Sequence, residues 1–138
     1  MSVEVNVVYE GQLRCKATHA PSGSELQTDA PLDNQGKGEL FSPTDLVGTA
    51  LGTCMLTIMG IVAQRNKYPI EGSTVNVVKE MLTGPDRRIK KLTVTFRIKN
   101  GAKLSEDDRK KLTAAAATCP VHRSIHPDVE IPIQYVWE

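Results

Sequence analysis

The middle of the chain contains a long stretch without charged residues, between Asp45 and Arg65. Its start carries the signals of a helix N-terminus. Ser42 suits the N-cap, Pro43 suits the first helical position, and Asp45 completes a variant capping box. Pro69 supplies a stop signal shortly after the stretch. The sequence therefore predicts one long helix over residues 42–66, around which the rest of the fold has to be arranged.

This predicted helix has a bulky face and a small face when its residues are placed about 100° apart. The bulky apolar face contains Val47, Leu51, Cys54, Ile58 and Ile61. The small face contains Gly48, Gly52, Thr53, Gly60 and Ala63. Small residues allow another backbone to come close, so we expect the helix to be covered on all sides at the centre of the core. Its apolar arc is too wide for one small sheet, which predicts that a second subunit covers part of it.

The same helix also meets the length requirement of a membrane span, since a span needs about 20 mostly apolar residues. Gly48 and Gly52 form a G-x-x-x-G pair of the kind that packs transmembrane helices. Against this interpretation stand the glycines, the threonines and the capping box of the stretch. The remaining chain also reads as amphipathic strands that need a core, so we expect a buried helix of a water-soluble protein.

Composition and charge narrow the classes of function. The chain has 138 residues, which suits a single domain over residues 1–138, and its net charge of +1 gives no support for a nucleic-acid or anionic-membrane partner. The first residues form a strand pattern with an early acid, which does not resemble a signal peptide. An odd number of cysteines, three, then predicts a reducing cytoplasm in which thiols are kept for chemistry or packing.

Alternation of apolar and polar residues predicts the strands. Before the helix, the pattern indicates strands over residues 3–9, 13–17 and 25–28, followed by a surface loop over residues 29–39. After it, strands are predicted over residues 74–82, 92–98 and 129–137, with a second helix capped by Ser105 between the last two. Pro132 places the final strand at an edge or a bulge. The order β-β-β-α-β-β-α-β predicts an α+β domain of antiparallel strands packed against two helices.

The three cysteines differ in their predicted surroundings. Cys54 lies in mid-helix, where a cysteine is more often an inert small hydrophobe, and a reactive thiolate there needs a cation from elsewhere in the fold. Cys119 follows the second helix and precedes Pro120, where another helical turn can begin and where a thiol is accessible. From the residues alone, Cys119 is as well explained by packing as by chemistry. Cys15 lies on the inward face of a strand and is expected in the core.

Two other groupings of reactive side chains have a recognisable spacing. Cys119, His122 and His126 have the spacing C-x2-H-x3-H, which resembles half of a metal site, but no second cysteine pair accompanies it. A hydrolase dyad of Cys119 and His122 lacks any sequence feature that would supply an oxyanion site. Metal binding and hydrolysis are therefore the less favoured interpretations.

Two motifs, S-P-T-D-L-V-G-T-A-L-G-T-C from Ser42 to Cys54 and C-P-V from Cys119 to Val121, stand in a matching order of strands and helices. In these features, and over nearly its whole length, the chain resembles the OsmC/Ohr family of thiol-dependent peroxidases. The resemblance implies an antiparallel sheet wrapped around two central helices, in an intertwined homodimer with two sites at the subunit interface.

The resemblance also implies roles for individual residues. Cys54 would attack the peroxide and Cys119 would resolve the product as a disulfide. The organic-hydroperoxide branch of the family has a Glu that orients an Arg near the first hairpin turn. Here Thr44 stands at the Glu position, Asp45 follows it, and Arg14 is the arginine nearest to that turn. The catalytic residues implied are thus Cys54, Cys119, Arg14 and Asp45, with no metal or organic cofactor.

The chain resembles the broad OsmC-like branch more than the organic-hydroperoxide branch. The implied function is the reduction of organic hydroperoxides in oxidative or osmotic stress defence, by a cytoplasmic homodimer that a dithiol or small thiol regenerates. The alternative is a non-enzymatic small-molecule-binding or structural domain of the same fold. Thr44 in place of Glu favours the alternative, and the retention of Cys54 and Cys119 favours the enzyme.

Overall fold

Two three-stranded sheets form the framework of the structure, a computed structural model that describes residues 1–138. They belong to two compact units, Met1–Val47 and Gly48–Glu138. Along the chain the elements follow in the order β-β-β-α-β-β-α-α-β. The predicted α+β class is therefore confirmed, and the order differs from the prediction only by a short third helix.

The sheet of the first unit is antiparallel and built from neighbours in sequence. It contains β1 (Val5–Gly11), β2 (Arg14–His19) and β3 (Glu25–Asp29), in that order. A two-residue turn joins β1 to β2, and both of its residues, Gln12 and Leu13, have positive φ. Turns of this kind match the right-handed twist of the flanking strands, so they make tight hairpins.

The first unit buries almost no apolar surface. Only Asp29 and Ser42 are buried in it. Its exposed large apolar side chains are those of Met1, Val3, Val5, Val7, Val8, Tyr9, Leu13, Leu26, Leu32, Leu40 and Phe41. Because burial of apolar surface is the main stabilising contribution to a sheet, this unit has exposed apolar surface that a partner could cover.

The long helix, α1 (Pro43–Asn66), begins with the capping box expected from the sequence. The Asp45 backbone N–H donates to the Ser42 hydroxyl at 3.1 Å, and the Ser42 backbone N–H donates to the Asp45 carboxylate at 2.9 Å. Two of the N–H groups that a helix start leaves without partners are thus satisfied reciprocally. By length and composition alone α1 could cross a membrane, a test that the core helix of a water-soluble protein also passes.

The second unit contains the remaining strands and helices. Strands β4 (Thr74–Met81) and β5 (Ile89–Ile98) form an antiparallel hairpin, whereas β6 (Ile133–Trp137) runs parallel to β5. The expectation of purely antiparallel pairing is therefore wrong for β6. Helices α2 (Glu106–Ala116) and α3 (Pro120–Ser124) lie in the connection between β5 and β6, and a long crossover of this kind is what parallel neighbours require.

The core of the second unit forms where α1 meets β4 and β5. A methyl group placed on Gly52 would come within 3.0 Å of Val77 and 3.3 Å of Val75, which shows how closely the helix approaches the strand. The buried residues of α1 are Gly48, Leu51, Gly52, Met55, Met59 and Ala63. Residues of the small face and Leu51 of the bulky face are thus buried, but one chain alone does not cover the helix on all sides, since Ile61 is 44% exposed.

Candidate active site

The thiols of Cys54 and Cys119 meet in the second unit. Cys54 lies in the middle of α1, and Cys119 lies between α2 and α3. The side chain of Cys54 is close enough to Cys119 to raise the pKa of its thiol, and both cysteines are free thiols. Two residues far apart in the sequence are therefore neighbours in the fold, which a disulfide between them requires.

Cys119 is held in position by the backbone around it. Its N–H donates to the Ala116 carbonyl at 3.2 Å, at the end of α2. Its Sγ accepts the backbone N–H of His122 at 3.4 Å and so caps α3, which begins with Pro120. The expected accessible setting is wrong for this residue, because Cys119 has 0% exposed surface.

Burial also sets the protonation state of this thiol. Removal from water raises the pKa of Cys119, and the neighbouring thiol of Cys54 raises it further, against the lowering effect of the N–H of His122. A raised pKa keeps Cys119 protonated at neutral pH. Cys119 is therefore available as an S–H donor beside Cys54.

Cys54 keeps part of its surface open. Its neighbours one turn away on the solvent side, Ala50 and Thr57, are exposed, and so is the adjacent Thr53. On the opposite side, Leu51 and Met55 are fully buried. The sulfur of Cys54 thus lies between an apolar core and a solvent face built from small side chains, where a small molecule can approach it.

Arg14 is the first residue of β2 in the first unit, and two carboxylates bind it. Its Nε and Nη2 donate to Asp29 at 2.7 and 2.9 Å, and Nη2 also donates to Glu39 at 3.0 Å. These hydrogen bonds raise the pKa of Arg14 above its ordinary value and hold the pKa of Asp29 below its ordinary 3.8. The guanidinium is therefore fixed in place as a permanent cation.

Asp29 also fastens the end of the loop that leads to α1. Its carboxylate accepts the backbone N–H of Leu40 at 3.1 Å, and its own N–H donates to the Phe41 carbonyl at 3.0 Å. Sequence reasoning missed the roles of Asp29 and Glu39. The role of Asp29 follows from the register of the β2–β3 pair, in which Arg14 lies directly opposite Asp29.

Contacts at the start of α1 and in the first sheet hold the remaining candidates, Asp45, Thr44 and Cys15. Asp45 accepts the N–H of Ser42 in the capping box of α1, and the Thr44 hydroxyl lies 3.2 Å from that of Ser42. Cys15 pairs with Tyr9 and Thr28 in the first sheet and is half-buried rather than in a core. A catalytic role for Asp45 remains a prediction from the sequence.

The structure brings no three metal-binding side chains together. Cys119, His122 and His126 have the spacing of half a metal site, but no group of three His, Cys, Asp or Glu residues in residues 1–138 could hold an ion. The His126 ring instead faces Asp128, with Nδ1 3.7 Å from the carboxylate. The C-x2-H-x3-H spacing therefore does not correspond to a group of metal-binding side chains in the structure.

Comparison with known proteins finds one family model and several solved structures that are similar to this chain. The family model described as OsmC-like protein matches residues 36–134, and no curated protein matches the chain. A crystal structure from Psychrobacter arcticus 273-4, named as an osmotic stress induced and detoxification response protein, is 44% identical to the chain. It superimposes with a TM-score of 0.88, over 95% of this chain and 93% of that one.

Two solved structures of lower identity share the fold. The organic hydroperoxide resistance protein OsmC of Legionella pneumophila is 17% identical, with a TM-score of 0.76 over 99% of this chain and 97% of that one. An organic hydroperoxide resistance protein of Vibrio cholerae, with captopril bound in one of its active sites, is 15% identical. Its TM-score is 0.73, over 98% of this chain and 91% of that one.

Proposed function

The chain belongs to the OsmC-like protein family, and from this premise we propose that it is a thiol-dependent peroxidase that reduces organic hydroperoxides. The observation that carries the proposal is the proximity of the thiols of Cys54 and Cys119. One thiol is partly exposed on a rigid helix, and the other is buried and protonated beside it. This is the arrangement that a peroxide-reducing cysteine pair needs.

The chemistry proceeds in two steps. The thiolate of Cys54 attacks the distal oxygen of the hydroperoxide, the O–O bond breaks, and the alkoxide takes up a proton and leaves as an alcohol. Cys54 is then a sulfenic acid. The sulfur of Cys119 attacks it, water leaves, and a Cys54–Cys119 disulfide remains. A dithiol or a small thiol then reduces this disulfide and is itself oxidised to a disulfide.

Organic rather than hydrogen peroxide is the proposed substrate because of the surroundings of Cys54. The exposed side of its helix carries Ala50, Thr53 and Thr57, whose methyl groups provide a small apolar surface. An alkyl chain gains free energy by leaving water for such a surface, whereas hydrogen peroxide has no apolar part to bury. We propose Arg14 as the cation of the site. The two steps described above require no metal or organic cofactor.

A homodimer in the cytoplasm is part of the same proposal. The exposed apolar side chains of the first sheet and the exposed side of α1 support a second copy as the partner. Three free cysteines support a reducing compartment, where a disulfide exists only during turnover. The proposed physiological setting is defence against oxidative or osmotic stress.

A non-enzymatic binding domain of the same fold is the second candidate. The observation that favours it is the engagement of Arg14 by Asp29 and Glu39, which leaves less of its charge for a reacting thiolate. Consumption of an alkyl hydroperoxide with dihydrolipoamide or dithiothreitol, compared with hydrogen peroxide, separates the two. Turnover that prefers the alkyl hydroperoxide supports the peroxidase. Rates no higher than those of free cysteine support the binding domain.

A further inference from the structure

The two sulfurs of the cysteine pair differ in their access to solvent. Cys119 has no exposed surface, whereas Cys54 is partly exposed on the side of Ala50 and Thr57. A disulfide between them would therefore present one reachable sulfur and one enclosed sulfur. Thiol–disulfide exchange depends on which sulfur the incoming thiolate can reach, so the difference decides how the bond is reopened.

We propose that the thiol reductant attacks the sulfur of Cys54, so that the mixed disulfide forms on Cys54 and Cys119 is the leaving sulfur. The inference rests on the proposed function in that a Cys54–Cys119 disulfide forms during turnover. It goes further by naming the atom at which the reductant acts and by assigning peroxide and reductant the same entrance.

The direction of attack supports this choice. In thiol–disulfide exchange the incoming sulfur approaches in line with the bond that breaks, from the side opposite to the leaving sulfur. The exposed side of Cys54 is the solvent face of α1, where the neighbouring side chains are small and leave room for such an approach. At Cys119 the backbone at the end of α2 and the first turn of α3 surround the residue, and its Sγ is already engaged by the N–H of His122.

The leaving sulfur has a hydrogen-bond donor in place. When the bond to Cys54 breaks, Cys119 departs as a thiolate, and the N–H of His122 at 3.4 Å is positioned to stabilise it. Burial raises the pKa of Cys119, which slows this departure. The difference in solvent access favours attack at Cys54 and outweighs the effect of the raised pKa. Attack at a sulfur without exposed surface requires α2 or α3 to move first.

One external dithiol supplies all the electrons that the exchange requires. Its first thiolate forms a bond to Cys54, and the electron pair of the Cys54–Cys119 bond moves to Cys119, which takes up a proton. Its second thiolate then attacks the mixed disulfide and releases Cys54 as a thiolate. The dithiol is oxidised by two electrons to its disulfide, and the cysteine pair is reduced by two electrons to two thiols.

The test uses the full-length protein with Cys15→Ser, which removes the third thiol. Diamide oxidises it to the disulfide without any peroxide, 2-mercaptoethanol then attacks for increasing times, and acid stops exchange before peptide mapping. Extrapolated to zero time, the adduct should be on Cys54 in at least about tenfold excess over Cys119. Equal adducts, an excess on Cys119, or the absence of a Cys54–Cys119 disulfide would overturn the inference.

A loosened variant provides the matched comparison. Pro120→Gly removes the proline that opens α3, so Cys119 should become reachable and its share of the adduct should rise severalfold. An unchanged share would contradict the role of enclosure. A Cys54 adduct in a protein that consumes no hydroperoxide would refute the proposed function and leave this inference standing, whereas peroxide turnover with attack at Cys119 would do the reverse.

Discussion

The guanidinium of Arg14 binds the carboxylate of Asp29 through two parallel hydrogen bonds, from Nε to Oδ1 at 2.7 Å and from Nη2 to Oδ2 at 2.9 Å. Asp29 is 1% exposed, and it also holds the backbone N–H of Leu40. The pair therefore joins the first hairpin to the end of the loop before α1. A bidentate pair of this kind stabilises one geometry more strongly than a single contact would.

The first prediction concerns the pH dependence of this pair. Asp29→Asn should lower the free energy of unfolding at neutral pH, because a nearly buried carboxylate bound by Arg14 is replaced by a neutral amide. A carboxyl group whose pKa falls on folding contributes stability that is full above its unfolded pKa. That contribution is lost as the pH falls through the folded pKa. The difference from the parent protein should therefore be largest near pH 7 and shrink below about pH 4, as measured by urea unfolding.

Glu39→Gln is the control for that prediction. Glu39 binds the same guanidinium, but its side chain is 62% exposed and makes one contact with Arg14, at 3.0 Å. Exposed ion pairs contribute little, so this variant should lose much less stability than Asp29→Asn at every pH. Equal losses in the two variants would show that the bidentate contact has no special weight.

The second prediction separates the roles of the cysteines. With one equivalent of alkyl hydroperoxide, Cys119→Ser should form a sulfenic acid on Cys54 that excess peroxide oxidises further, because no second thiol can condense with it. Cys54→Ser should not react at peroxide concentrations that oxidise the parent, and Cys15→Ser should behave as the parent does. Mass spectrometry of the intact proteins reads all three results. Oxidation of Cys119 at the parental rate in Cys54→Ser would reverse the assignment.

The third prediction compares two glycines of α1. Gly52→Ala should destabilise the protein by about 1–3 kcal/mol, because the added methyl group meets Val77 at 3.0 Å and Val75 at 3.3 Å. Gly60→Ala meets no atom within 4 Å and should instead stabilise the helix by up to about 1 kcal/mol. Chemical denaturation of both variants measures the difference. Equal effects at the two positions would contradict the close packing of α1 on β4.

The fourth prediction concerns assembly. Sedimentation at micromolar concentration should show a dimer, and a stable 15.1 kDa monomer would refute it. Val7→Lys, which places a charge among the exposed apolar residues of β1, should weaken the dimer at least about tenfold. Val78→Lys is the control, since Val78 is also exposed but stands between the exposed polar residues Asn76 and Glu80 of β4. Equal effects of the two lysines would place the interface elsewhere.

Much of the fold follows from local patterns in the sequence. Alternating residues identified every strand, and Ser42 with Asp45 correctly marked the start of α1, because capping and alternation depend on residues a few positions apart. The meeting of Cys54 and Cys119 was anticipated only through the resemblance to a family. Nothing in the spacing of the two residues says that α1 and the end of α2 are neighbours.

Features that depend on distant partners were not predicted. The exposed position of Ile61 in a single chain was not predicted, because a helix without charged residues gives no sign of which side meets water. The direction of β6 was wrong because alternation is the same for parallel and antiparallel strands. Asp29 looked like a loop residue, and only the register of β2 with β3 shows that it faces Arg14.

The parallel pairing of β6 with β5 has a consequence for synthesis of the chain on the ribosome. The β4–β5 hairpin can form as soon as it emerges, but β6 docks only after the whole crossover has been made, and with it Tyr135 stacks on Phe96 with ring centres 5.1 Å apart. Until residues 133–137 are added, one edge of β5 stays unpaired and open to the strands of other chains. Slow translation of this segment should therefore lower the yield of native protein through aggregation, while the protein that does fold is unchanged.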